Sequence, residues 1–161
     1  MRLPAGVRVR RARPSDAAAV AAVMRGAVRG LARGAYRPDQ IARWSSLPPL
    51  YHAWAMTAGG ETYLVAERHG RILGYAALRG REVTAIFVRP SAARRGLGAA
   101  LLARLERLAA RRGVRALFAK AALPALPFYA ARGYRGARHL RVPLPGGGAL
   151  AARAVSKRIG A

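Results

Sequence analysis

Cysteine is absent from all 161 residues. Disulfides, thiolate metal sites and a cysteine nucleophile are therefore excluded together. Carboxylates are scarce. Asp16, Asp39, Glu61, Glu67, Glu82 and Glu106 stand against 30 Lys and Arg, for a formal net charge of +24. Any carboxylate chemistry has to come from these six side chains. Lysine is nearly missing as well: Lys120 and Lys157 are the only two, so the positive charge is almost all arginine. Long apolar runs are also lacking. None reaches the roughly 20 residues that a membrane-spanning helix needs, and Met1-Arg2-Leu3-Pro4 lacks the apolar centre of a secretion signal. The expectation is a cytoplasmic protein with no membrane attachment and no metal.

The hydrophobic fraction, 53%, is ample for a buried core and argues against disorder. One domain over residues 1–161 is expected. A charge this high first suggests nucleic acid. However, the arginines are scattered and form no single stripe, and they accompany abundant alanine, glycine and proline. This pattern suits a general compositional bias better than a nucleic-acid groove. A preference for anionic ligands is what remains.

Val7 to Arg11 alternates apolar and charged residues and reads as a strand. Ser15 or Asp16 can cap the helix that follows, about Ala17 to Ala32. Pro38 and Asp39 open a second helix through Trp44, and Pro48-Pro49 stops it. Tyr51 to Gly60 reads as a loop. Thr62–Arg68, Ile72–Leu78 and Glu82–Val88 are three strands joined by tight turns. A helix from about Ala99 to Arg112, the strand Val114–Ala121, a short helix Pro124–Arg132 and the strands Tyr134–Val142 and Leu150–Lys157 complete the chain. The order β-α-α-β-β-β-α-β-α-β-β predicts an α/β fold with a mixed sheet (an α+β mixed sheet) and helices on both faces.

The centre of the chain carries the chemistry. Glu82–Val88 ends at Arg89-Pro90, then comes Arg94-Arg95-Gly96-Leu97-Gly98, then an apolar helix. A strand, a basic glycine loop and a helix N-terminus form an anion-binding device, because free backbone N–H groups and the helix dipole both face outward there. The loop is not a dinucleotide fingerprint, since the third glycine is missing. It is not a Walker A loop either, since no Gly-Lys-Ser/Thr follows.

Val88-Arg89-Pro90, then Arg95-Gly96-Leu97-Gly98 and Ala99-Ala100-Leu101-Leu102, resemble the acetyl-CoA motif of the GCN5-related N-acetyltransferase (GNAT) family. Ala125-Leu126-Pro127-Phe128-Tyr129-Ala130-Ala131-Arg132-Gly133-Tyr134 is similar to that family's later A-x-x-F-Y segment. Two departures are visible. Ala93 stands where a Gln or Arg usually opens the pyrophosphate loop, and Ala122 stands where an asparagine often precedes the later helix.

The resemblance implies a GNAT-like acyl-CoA N-acyltransferase fold and direct transfer of an acetyl group from acetyl-CoA to a primary amine. It implies that Ile86, Phe87 and Val88 line the pantetheine arm and that Arg94, Arg95, Gly96, Leu97, Gly98 and Ala99 hold the pyrophosphate. It places Phe128 beside the coenzyme and makes Tyr129 the acid that protonates the departing thiolate. Glu82 matches a base position of some members. Strand alternation puts it on one face with Thr84, Ile86 and Val88, and partial burial would make it a better proton acceptor. The other carboxylates fall near helix caps, strand ends or a polar helix face. His52 could border the acceptor, His69 lies in a turn and His139 in a late strand. Tyr36, Trp44, Tyr51 and Trp54 form an aromatic group that is either core or a wall of the acceptor pocket.

The acceptor is expected to be a small molecule or a peptide amine. A polycation is disfavoured, whereas a small amine, an amino acid or an anionic metabolite fits. The oligomeric state stays open, a homodimer being one option. The alternatives are a non-catalytic acyl-CoA sensor and, behind it, a basic nucleic-acid-binding protein.

Overall fold

The computed structural model describes residues 2–160. Seven strands form one sheet in the order β1-β2-β3-β4-β5-β7-β6. They are β1 (Val7–Arg11), β2 (Thr62–Arg68), β3 (Arg71–Arg79), β4 (Glu82–Val88), β5 (Ala116–Ala122), β6 (Arg135–Pro143) and β7 (Ala149–Arg158). Every neighbouring pair is antiparallel except β4 and β5. That parallel pair shares a single bridge, Glu82 with Phe118. Beyond it the two strands separate toward their C-terminal ends, where parallel strands of α/β sheets commonly accept ligands.

Five helices cover the two faces: α1 (Ala17–Leu31), α2 (Pro38–Trp44), α3 (Pro49–Met56), α4 (Leu97–Arg111) and α5 (Leu126–Ala131). Leu101, Leu102, Leu105 and Ala109 of α4 repeat at helical spacing. They pack on Ala76, Leu78, Val83, Leu117 and Ala119 of the sheet. Arg104, Arg107 and Arg111 take the solvent side. The opposite face carries a second core, in which Val20, Val23, Met24 and Val28 of α1 meet Tyr63, Val65, Tyr75 and Ala77. Among the described residues no helix is long and apolar enough to cross a membrane.

Three local features differ from the sequence reading. Residues 51–60 are not all loop, because α3 occupies Pro49–Met56. Pro49 stands at the first helical position, where its missing N–H is not needed, so the prolines that end one helix begin the next. Helix α4 starts at Leu97 rather than Ala99, with Gly96 as its N-cap. Lastly, β4 is bulged. Ala77 pairs with Ala85 and Leu78 with Val83, which leaves Thr84 as an extra residue.

The bulge changes which side chains share a face. Val83, Ile86 and Val88 belong to the α4 core, whereas Ala85 and Phe87 belong to the α1 core. Glu82, next to Val83, therefore points to the α1 side. It does not share a face with Ile86 and Val88 as simple alternation predicts, because one inserted residue reverses the parity of everything before it.

Candidate active site

A cavity of about 1100 Å³ occupies the split between β4 and β5 and runs under α1 and α3. Its wall includes Glu82, Ile86, Phe87, Val88, Arg94, Gly96, Leu97, Gly98, Ala99, Phe128 and Tyr129. Of the catalytic and coenzyme-contacting residues that the resemblance implies, only Arg95 lies elsewhere, and of the aromatic group Trp54 is outside the wall and 51% exposed. Arg95 lines a second, smaller hollow with Arg68, His69 and Arg71.

One end of the cavity is made of backbone. Arg94 has φ +61° and Gly96 has φ +80°, both left-handed. For Arg94 this conformation costs energy, and for glycine it does not. The turn aims the chain so that Ala100 N–H makes the first helical bond, to Gly96 C=O at 3.0 Å. Among the described residues, the N–H groups of residues 94–99 donate to no backbone or side-chain acceptor. They lie at the positive end of a 15-residue helix. N–H groups so placed can receive an anionic group without a polar side chain at 93. Gly98 has a different role. A Cβ there would sit 3.2 Å from Phe128 Cε2, so its absence lets α5 close against the head of α4. The Arg132 guanidinium lies 4.4 Å above the other component of that contact, the Phe128 ring, and donates to Phe128 C=O at 3.2 Å.

Next to Ala122, the backbone is held by a side chain from another layer. Tyr36, from the α1–α2 connection, accepts from Leu123 N–H at 3.0 Å and donates to Ala151 C=O at 2.6 Å. Its hydroxyl joins the end of β5, β7 and the helical layer at one point.

Tyr129 sits on the wall with 6% of its surface exposed. Its ring packs edge-on against Phe128 and Tyr134, at 5.4 Å and 5.3 Å between centroids. Burial pushes its hydroxyl well above the usual tyrosine range. The group therefore stays protonated at neutral pH and has a proton to donate.

The other end of the cavity is made of rings and carboxylates. Tyr75 stacks on Tyr63 at 5.4 Å, 7° from parallel. Phe87 and Trp44 extend the row on one side, and His52 and Tyr51 on the other. Against these rings stands Glu61, at the head of β2, 7% exposed. Thr84, the bulge residue, donates to Glu61 Oε2 at 3.2 Å. Arg79 Nη1 is 3.7 Å from Glu61 Oε1. Glu82 is held more firmly by cations, with Arg79 Nη2 3.2 Å from Oε2 and Lys120 Nζ 3.7 Å from Oε1. Burial raises the Glu61 carboxyl above its ordinary value and the charge on Glu82 adds to this, while the Thr84 hydrogen bond and Arg79 oppose it.

His52 is 1% exposed. Its Nδ1 is 3.1 Å from the Tyr63 hydroxyl, and its Nε2 has no partner among the described residues. Burial lowers its pKa to about 4, so the imidazole is neutral. His69 lines the second hollow and His139 lies on β6.

Glu61 is a cavity carboxylate that the sequence reading set aside, among the five placed near helix caps, strand ends or a polar helix face. Only the pairing of β2 with β3, and of β3 with a bulged β4, brings it to Thr84 and Glu82. Among the described residues, no three His, Asp or Glu side chains gather in a way that could hold a metal ion.

Comparison with known proteins gives a consistent result. Residues 29–134 match the acetyltransferase (GNAT) family model. A mycothiol acetyltransferase from Geodermatophilus obscurus is 37% identical over 131 residues, which is 78% of this chain and 41% of that protein. The chain thus spans about two fifths of the length of this curated relative. A solved GCN5-related N-acetyltransferase from Rhodopseudomonas palustris, also named "aminotransferase, class-II", superposes with a TM-score of 0.88 at 29% identity, covering 99% of this chain and 98% of its own. A PaiA N-acetyltransferase from Thermoplasma acidophilum, solved in complex with coenzyme A, has a TM-score of 0.76 at 15% identity, covering 94% and 98%. This last likeness concerns the fold alone.

Proposed function

The chain belongs to the GNAT acetyltransferase family, and from that premise we propose that it transfers an acetyl group from acetyl-CoA to a primary amine by direct attack. The observation that carries this reading is the run of unpartnered N–H groups at residues 94–99, at the mouth of the β4–β5 split and on the same cavity as a buried tyrosine. Acetyl-CoA would supply an activated thioester.

The residues of this chain take distinct parts. The backbone of 94–99 would hold the pyrophosphate, with Arg94 adding charge. Beyond its single bridge to β5, β4 leaves the Ile86, Phe87 and Val88 stretch facing the cavity, as a pantetheine arm requires. Phe128 and Gly98 set the width of the passage. Tyr129, held protonated, donates to the departing sulfur. The acceptor's proton leaves at the opposite end, toward Glu82 and Glu61. Buried rings around that end keep bulk water from competing with the amine. The chain would act in the cytoplasm, on a small or peptidic amine.

The test is calorimetric titration with acetyl-CoA, NAD and ATP, followed by assay of free thiol with a panel of amines. Acetyl-CoA is expected to bind in the micromolar range (about −8 kcal/mol) and the others weakly. Thiol release should depend on amine. Equal heats for the three ligands would sink the proposal. Tight acetyl-CoA binding with no thiol release from any amine would identify a non-catalytic binder.

A further inference from the structure

We infer that the ring-and-carboxylate end of the cavity is a subsite for a monocationic primary amine on a flat apolar body, with Glu61 holding the ammonium and then taking its proton. This rests on the acetyl-transfer reading above and deepens it by naming the acceptor class.

The carboxylates are unevenly distributed. Asp16 and Glu67 are engaged by Arg10, Asp39 by Arg37, and Glu106 by Lys157 and Tyr134. The remaining two, Glu61 and Glu82, both line the cavity. In a chain of net charge +24, these are the two carboxylate side chains among the described residues that line the cavity. The two are not equivalent. Glu82 has a cation facing each of its oxygens, at 3.2 Å and 3.7 Å. Glu61 has a neutral hydroxyl on one oxygen and a mostly exposed guanidinium 3.7 Å from the other. A buried carboxylate with so weak a partner is incompletely neutralised, and an ammonium ion would complete it.

The rings specify what carries the ammonium. Trp44, Phe87, Tyr75, Tyr63, His52 and Tyr51 form a continuous row, each ring 5.4–6.1 Å from the next. Tyr75, Tyr63 and His52 are buried and back the wall, whereas Trp44, Phe87 and Tyr51 are partly exposed and can meet a flat apolar group and a cation. Beside them the unpartnered Nε2 of His52 is a buried polar atom with nothing yet to bind. His52 is held neutral, so it adds no positive charge that would repel the amine.

Charge sets the limits on both sides. A polyamine brings several cations to a site whose two carboxylates already face Arg79 and Lys120. An anionic amino acid would bring a carboxylate against Glu61 and Glu82. In the transfer, Glu61 removes one proton from the ammonium. The freed nitrogen lone pair forms a C–N bond to the acetyl carbonyl carbon as the C–S bond breaks. The sulfur keeps that bonding pair and receives the Tyr129 proton. The nitrogen then sheds its second proton, which restores the Tyr129 hydroxyl, so the products are the acetamide and the free thiol with Glu61 protonated.

The experiment uses 2-phenylethylamine, n-butylamine, spermidine and L-aspartate with the intact protein and saturating acetyl-CoA. The expected result is a kcat/KM for 2-phenylethylamine at least about tenfold above that for n-butylamine, with spermidine and L-aspartate lower still. 2-Phenylethylamine should also quench the fluorescence of Trp44, and Trp44→Phe should abolish that change. Glu61→Gln should lower kcat for 2-phenylethylamine about 100-fold, with acetyl-CoA affinity unchanged by calorimetry. Thr84→Val, which leaves the carboxylate in place, should lower kcat only a few-fold. If acetyl-CoA binds and spermidine or L-aspartate is the preferred acceptor, the inference is wrong while the acetyl-transfer reading stands. The same conclusion follows if Glu61→Gln turns over normally. If acetyl-CoA does not bind at all, both readings fall.

Discussion

The two ends of the cavity are built from different materials. The 94–99 end is backbone: two left-handed residues, a helix terminus and a glycine that lets Phe128 approach. The Glu61 end is side chain: six rings and two carboxylates, delivered by α2, α3, β2, β3 and β4. A backbone site depends on conformation and tolerates almost any side chain that permits the conformation. A side-chain site depends on identity and is free to change with the acceptor. The first end can thus serve a shared cosubstrate, and the second is where one member of a family departs from another.

The comparison is testable by damaging each end separately. Gly96→Pro should have the largest effect. Proline cannot reach φ +80°, so the turn must rebuild, and acetyl-CoA affinity should fall by about 1000-fold or roughly 4 kcal/mol. Retained tight binding in calorimetry would break the claim that backbone conformation makes that end. Tyr129→Phe comes next. It removes one hydroxyl between the two ends, and kcat should drop about 100-fold while acetyl-CoA affinity stays put. A loss of affinity without loss of turnover would return Tyr129 to core packing.

His52→Gln probes the other end through stability. In the fold His52 stays neutral down to about pH 4, against an ordinary value of 6.5. Between those values the unfolded chain binds the extra proton, so stability is lost as the pH falls from about 6.5 to 4. The wild type should lose about 1–3 kcal/mol more than His52→Gln across that window. Parallel pH profiles of thermal unfolding would mean the histidine is not buried neutral. Gly98→Ala should be mildest. Its Cβ presses on the edge of one ring, so a few-fold loss of acetyl-CoA affinity and about 1 kcal/mol of stability are expected.

The same contrast explains what could be read from the chain before its structure. The backbone end lies within one contiguous stretch, 88–99, where left-handed turns and close approach leave a mark in the form of glycines. The order of elements along the chain and the mixed sheet were equally accessible, because alternation and turn residues are local. The acceptor end has no such stretch. Glu61 reads as one more carboxylate near a strand end, and its burial is a product of three paired strands. Thr84 is indistinguishable by type from any strand threonine, so the bulge and the true face of Glu82 stayed hidden. Helix α3 was masked by the two prolines in front of it. Tyr36 reaches Leu123 across 87 residues of sequence, a partnership that no local pattern announces.

The bulge at Thr84 uncouples the number of residues in the strand from the face that each one takes. Deleting Thr84 would remove the bulge and leave Val83 in the core and Glu82 at the cavity, because Val83 would then precede Ala85 in plain alternation. Drawing Thr84 into the ladder with no deletion would do the opposite and turn Glu82 inward. The face of Glu82 is thus set by which residue is looped out, and the type of that residue adds one hydrogen bond to Glu61.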